Sequence, residues 1–324
     1  MLKQISLLIL CAAAIVCFAT PVQACTSAVV SGKVTPDGRP LLWKNRDTDF
    51  MQNHIDYVKG EKYNFIAVVN SANAYLKEAW MGTNSSGFAL MNTQSYNLVD
   101  VKGDEERGAA NGRVIYRALE VCATVEDFCH FLDTISKPSD IEANFGVIDA
   151  QGGAAMFEVD YYKYVMYDAN NPKDAPYGYI ARTNFSFAGK VNEGAGYVRY
   201  MEADQVLMKA SATGSITPQF IFNDLSRSFR NRMLDIDLRS GAYNRPQASG
   251  WFVDQDFIPR SSTSCSVVVQ GVKPGEKAEL TTMWTLLGYP PTGIAVPLWV
   301  KDAGKLLPGM VRFGKEYEAA LLSD

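Results

Sequence analysis

The sequence predicts a single α+β domain in which helices pack against sheets. Strand-like runs come in blocks, two helical blocks interrupt them, and neither a linker nor an internal repeat divides the chain. At 324 residues, 47% hydrophobic and 20% charged, the chain has the composition of a globular protein with enough apolar residues for a full core.

Residues 1–24 carry one basic residue, Lys3, then an apolar run from Ile5 to Phe18 and the small-x-small ending Val22-Gln23-Ala24. That pattern reads as a secretory signal peptide. Residues 25–324 are then a single exported domain, expected in the periplasm or outside a bacterial cell. No other apolar run reaches membrane-spanning length, so no membrane insertion is expected after signal removal. The net charge is -4, or -5 without Lys3, which argues against nucleic acid as a partner.

The mature chain opens with a β-like run, Thr26 to Gly32, the turn Pro36-Asp37-Gly38 and a second run, Pro40 to Trp43. These read as a hairpin. It returns the charged stretch Lys44-Asn45-Arg46-Asp47-Thr48-Asp49 to the level of Cys25. Strands are predicted at Asn64–Val69, Leu76–Met81 and Phe88–Asn92, with Asn84-Ser85-Ser86-Gly87 as a turn. Val114, Ala118 and Val121 recur at helical spacing; after Thr124, a candidate N-cap, so do Phe128, Leu132 and Ile135. Strands return at Phe145–Ile148, Ala155–Val159, Tyr162–Tyr167 and Tyr179–Thr183. A second helical block covers Tyr197–Ala210 and Pro218–Phe229. The Gly-, Pro-, Asn- and Arg-rich segment Asp235–Arg260 reads as a long surface loop, a candidate lid or oligomer contact that leaves a homo-oligomer open. Strands follow at Cys265–Val269, Glu279–Leu286 and Ile294–Val300, with a short helix from Lys315.

Four cysteines lie beyond residue 24: Cys25, Cys122, Cys129 and Cys265. Cys122 and Cys129 are close enough to pair, or to be two separate apolar residues. Cys265 reads as a buried strand residue. Two histidines, His54 and His130, and no zinc spacing leave a metal site short of ligands. Cleavage after Ala24 would expose both a thiol and an α-amine on Cys25. An α-amine titrates at about 7.7 to 8.0, so near neutral pH it can take the thiol's proton.

Cys25-Thr26, Asn45-Arg46-Asp47, Asn84 to Asn92, Arg182-Thr183-Asn184-Phe185 and Arg199-Tyr200, in that order, resemble the N-terminal-nucleophile (Ntn) hydrolases of the choloylglycine hydrolase and penicillin V acylase superfamily. The resemblance is greatest to the branch containing acyl-CoA:6-aminopenicillanic acid acyltransferase. It implies a four-layer αββα sandwich and a catalytic set of Cys25 (nucleophile and, through its amine, base), Asp47 (holding the ammonium), Asn92 (oxyanion hole), Asn184 and Arg199. No cofactor or metal is implied. The substrate would be a small N-acyl amide, such as a conjugated bile acid, penicillin V or an N-acyl amino acid, with hydrolysis of a linear amide as the reaction.

One departure stands out. Bile-salt hydrolases usually carry Gly-Arg-Asn-x-Asp where this chain has Trp43-Lys44-Asn45-Arg46-Asp47. Lys44 replaces a guanidinium with a compact charge, and Arg46 is assigned to the face opposite Lys44. Two other readings of the chain are an acyltransferase using the same acyl-enzyme and a non-catalytic lipoprotein anchored through Cys25, for which Val22-Gln23-Ala24-Cys25 is an imperfect lipobox. The remaining polar residues have structural readings: Asn84 as turn geometry, and Arg227, Arg230 and Arg232 as a solvated helix face.

Overall fold

The computed structural model describes residues 24–99, 108–241, 254, 256–304 and 311. Residues 1–23 of the expected signal peptide and the helix expected from Lys315 lie outside them. β1 (Thr26–Val30) and β2 (Leu41–Asp47) form the expected hairpin, with Thr26 opposite Asn45 and Val30 opposite Leu41. The next seven strands are β3 (Asn53–Val58), β4 (Phe65–Asn70), β5 (Met81–Asn84), β6 (Ala89–Gln94), β7 (Ala143–Ile148), β8 (Ala154–Val159) and β9 (Tyr164–Asp168). They pair in chain order as one antiparallel sheet. Helices α1 (Asn111–Val121) and α2 (Val125–Thr134) lie between β6 and β7 in sequence.

After β10 (Tyr179–Arg182) come α3 (Tyr197–Ala212), the short ribbon β11 (Arg230–Asn231) and β12 (Ile236–Asp237), then β13 (Thr263–Gln270), β14 (Thr282–Leu287) and β15 (Val296–Leu298). The second sheet has the order β10-β1-β2-β13-β14-β15, all antiparallel. β1 and β2 are therefore interior strands.

Period-two alternation makes the layers. Val29, Leu42, Ile66, Val68, Met91 and Val267 meet in a core between the two sheets. On the far side of the seven-stranded sheet, Phe65, Leu90 and Phe145 pack under Ile115, Leu119, Phe128 and Leu132 of α1 and α2. On the far side of the other sheet, Ala28, Leu41 and Trp43 pack under Ala203 and Leu207 of α3. Helices, sheet, sheet, helix: this is the four-layer αββα sandwich. Each large apolar side chain buried in it contributes on the order of 1.5–3 kcal/mol. Among the described residues no helix is long and apolar enough to cross a membrane.

Thr124 caps α2 as expected, accepting from the Asp127 amide while the Asp127 carboxylate accepts from the Thr124 amide. Asn84 does the turn work assigned to it: Oδ1 accepts from the Ser86 and Phe88 amides, and Nδ2 donates to the Leu119 and Cys122 carbonyls at the end of α1.

Several expectations need correction. The strand placed at Leu76–Met81 begins only at Met81, because Ser71–Leu76 is a 3-10 turn closed by Lys77 at φ 55°. β3 was absent from the expected strands; its polar Asn53, His54 and Asp56 hide the alternation. Of the helix expected at Pro218–Phe229, only Pro218–Phe220 is α-helical. Ile221–Leu225 is a wide π turn, and Ser226 is drawn down onto β2 and β13 by bonds to Asn45 Oδ1 (2.8 Å) and Ser266 Oγ (2.9 Å). The arginines beyond it are not a solvated face: Arg227 donates to the Pro290 and Gly293 carbonyls, and Arg232 pairs with Glu202. Of the two readings left open for Cys122 and Cys129, separate residues is the one that holds: both are free thiols, Cys122 buried at the end of α1 and Cys129 half-buried, 3.9 Å from the Met166 sulfur.

Candidate active site

Cys25 lies just before β1, so the β1–β2 register brings it level with Arg46 and next to Asp47. Its Sγ is 3.9 Å from the Asp47 carbonyl, and both residues are buried. Four of the five residues chosen from the sequence are brought into one polar network at this end of the sandwich; Asn92 is bonded to Lys44, which acts on Cys25 and Asp47 electrostatically.

Arg199, on the first turn of α3, is buried rather than a helix-surface charge. Its Nη1 donates to the Cys25 carbonyl (2.7 Å) and Thr26 Oγ1 (2.9 Å), and Nη2 to Asn184 Oδ1 (2.8 Å). Burial, with the neighbouring Arg260 cation second, pulls its pKa down to about 10. The guanidinium packs over Gly196, whose φ of 85° and lack of a Cβ make room for it. Asn184 Nδ2 donates to the Gln94 carbonyl at 2.8 Å. With Oδ1 on Arg199, both ends of that amide are engaged, so Asn184 ties the end of β6 to α3 instead of offering an open donor.

Asp47 is held from the other side. Arg260 grips Oδ2 through Nε (2.9 Å) and Nη2 (2.7 Å), while Thr263 Oγ1 donates to Oδ1 at 2.5 Å. Arg260 Nη2 also reaches the Ala24 carbonyl at 2.8 Å, the peptide that precedes Cys25. A bulge between Thr263 and Cys265 shifts the β2–β13 register here and delivers Thr263 opposite Asp47. Arg260 was read as part of a surface loop, yet it is buried and is the site residue that sequence reasoning missed. The available signal was its place three residues before a strand, Thr263–Gln270, that was itself legible.

Lys44 and Arg46 share a face, contrary to the expectation. Residues two apart on a strand must do so. Both cross the gap between the sheets. Lys44 Nζ donates to Asn92 Oδ1 (2.9 Å) and the Trp80 carbonyl (3.0 Å). Arg46 binds the side-chain oxygens of Asn53 and Asn70 and lies 4.8 Å from the Trp80 ring centroid. Burial lowers the pKa of both cations, and Cys25, Asp47 and Cys265 act electrostatically in the opposite sense. Asn45 faces the other way and bonds Ser226. Cys265 lies opposite Arg46, and burial pushes its thiol up to about 11, the behaviour of a packing residue rather than a nucleophile.

Tyr96, just past β6, completes the surroundings. Its phenol is raised chiefly by burial, with Cys25, Arg199, Glu142 and Arg260 all bearing on it electrostatically. Among the described residues no cluster of three or more His, Cys, Asp or Glu could hold a metal ion.

Residues 34–210 match the family model described as acyl-coenzyme A:6-aminopenicillanic acid acyl-transferase. Among solved structures, a variant of conjugated bile acid hydrolase from Clostridium perfringens aligns with a TM-score of 0.51 at 12% identity, covering 86% of this chain and 93% of that one. Penicillin V acylase from Agrobacterium tumefaciens aligns with a TM-score of 0.43 at 14% identity, covering 81% and 82%. The first likeness shows a shared fold; the second carries no further weight. No curated protein matches the chain.

Proposed function

Because the chain belongs to the acyl-coenzyme A:6-aminopenicillanic acid acyl-transferase family, we propose that it is an exported Ntn amidohydrolase that opens a linear, non-peptide amide through an acyl thioester on Cys25. The observation that carries this reading is the convergence on the Ala24–Cys25 peptide. A buried thiol, the Asp47 carboxylate and the Arg260 guanidinium meet at the bond whose cleavage would free the α-amine.

In the free-amine form, the amine takes the thiol proton and the thiolate attacks the amide carbonyl. Asp47, fixed by Arg260 and Thr263, holds the resulting ammonium. The Asn92 amide donates to the oxyanion, a contact whose loss typically costs on the order of 10²–10³ in rate. The ammonium then protonates the leaving amine. Water adds to the thioester, giving the free acid and restoring thiol and amine.

The family's description names acyl transfer, and this supports a second reading in which an amine replaces water as acceptor. The lipoprotein reading fits less well, because a lipid-anchored chain usually begins with a polar tether, whereas Thr26–Val30 enters β1 at once.

The test is a panel of N-acyl amides assayed for released amine, with the intact mass of the exported protein. Expected are a chain beginning at Cys25, turnover of at least one amide, and loss of turnover in a folded Cys25→Ser variant. Full activity in that variant, or a diacylglyceryl adduct on Cys25, would overturn the reading. Added hydroxylamine partitions the acyl-enzyme: hydroxamate outrunning free acid favours the transferase.

A further inference from the structure

We propose that Lys44 is the positioning residue of the oxyanion donor, holding the Asn92 carboxamide with its Nδ2 turned toward the reacting carbonyl. The inference rests on the reading of Cys25 as nucleophile and deepens it, by giving a role to the one position where the chain departs from the bile-salt hydrolase pattern.

The geometry has three parts. First, β2 register aims Lys44 across the gap between the sheets, where Nζ meets Asn92 Oδ1 at 2.9 Å and the Trp80 carbonyl at 3.0 Å. An ammonium has three donors and no acceptor, so the Asn92 atom it meets must be the oxygen. That settles the orientation of an amide that could otherwise turn over. Second, Nδ2 then lies on the opposite side of the carboxamide, and it makes no hydrogen bond among the described residues. Asn184 and Asn45 differ here: each has both oxygen and nitrogen committed. Third, the space beside Lys44, lined by Lys44, Arg46, Trp80, Met81 and Cys265, is too tight for a water molecule. No solvent can take over the ammonium's bond to Oδ1. A cation on Oδ1 also polarises the amide and makes its N–H a stronger donor.

The experiment pairs Lys44→Met, which fills the same space without a donor, with Asn92→Ala. Lys44→Met is expected to lower kcat about 10²-fold with little change in KM. Alkylation of Cys25 by iodoacetamide, which develops no oxyanion, is expected to fall far less than kcat, because only the loss of a nearby cation bears on it. The double variant is expected to be no slower than Asn92→Ala alone, because both changes remove one contact. Unchanged kcat in Lys44→Met, losses that multiply in the double variant, or a parallel fall in alkylation would each overturn the inference. Should Lys44→Met not fold, Lys44→Leu, which also lacks a donor, is read the same way: coupling to Asn92→Ala supports the role, and no loss or a multiplying loss overturns it. Failure of the parent reading shows separately, as turnover that survives in Cys25→Ser.

Discussion

The layer between the two sheets has two ends that differ in kind, and β2 runs through both. At one end Leu42 packs among Val29, Met91 and Val269; at the other, Lys44 and Arg46 of the same strand face bind Asn92, Asn53 and Asn70. The backbone alternation does not change along the strand, only the side chains it presents. A single strand therefore sets how tightly the sheets pack and where the site's cations sit. At the apolar end the sheets are held by area removed from water. At the polar end they are held by hydrogen bonds between fully desolvated groups, which stabilise only when every partner is present.

The largest cost is expected beside the polar end, at Asp47 on the other face of β2. Asp47→Ala takes from the buried Arg260 the carboxylate it grips with two nitrogens, and the expected loss is about 3–5 kcal/mol in denaturant-unfolding stability. Turnover should fall as well, because the ammonium loses its holder. Leu42→Ala breaks the apolar end at an expected 2–5 kcal/mol. It should leave kcat per folded molecule near wild type, and urea melts beside active-site titration of Cys25 separate the two effects.

His54 sharpens the boundary. It neighbours Asn53 on β3, contacts Ser71 Oγ at 3.1 Å, and has its pKa lowered chiefly by burial. The native state therefore disfavours the imidazolium. The stability that neutral His54 supplies is complete above about 6.5 and is lost as pH falls from there through the folded value. Subtracting the His54→Gln urea midpoints from wild type between pH 7.5 and 5 should leave a difference that falls with pH; a flat difference would mean that His54 protonates without penalty.

The smallest effect is expected far from either end, at the exposed rim. Arg39 and Glu276 pair at 3.1 Å, and the guanidinium's hydrogen bond holds the Glu276 carboxyl down to about 2. Solvent screening still limits the pair, so Arg39→Ala should leave the thermal midpoint almost unchanged, with a still smaller difference in high salt.

What could be read from the chain follows from how locally each feature is encoded. The turn at Pro36-Asp37-Gly38 fixes the β1–β2 register, so the nearness of Cys25 and Asp47 was legible, as was the α2 cap at Thr124. The facing of Lys44 and Arg46 was legible too, since strand alternation alone decides it. Arg260 was not. It meets Asp47 across 213 positions, through a bulge that no local pattern announces. The π turn at Ile221–Leu225 was hidden for the same reason: Asn45 and Ser266 impose it from distant strands. Asn184 and Arg199 were found only by motif order, because burial of a polar residue leaves no periodic trace.

Cys25 leads into β1, which has hydrogen-bonded neighbours on both sides, β10 and β2. If Cys25 is the nucleophile proposed here, its thiol is thus placed by a strand paired on both sides, whereas connecting loops tolerate more change. In evolutionary terms the two duties are uncoupled. Insertions or exchanges in the rim loops can change which molecules reach the thiol without moving it, so a lineage of such proteins can diversify its substrates while its chemistry stays fixed.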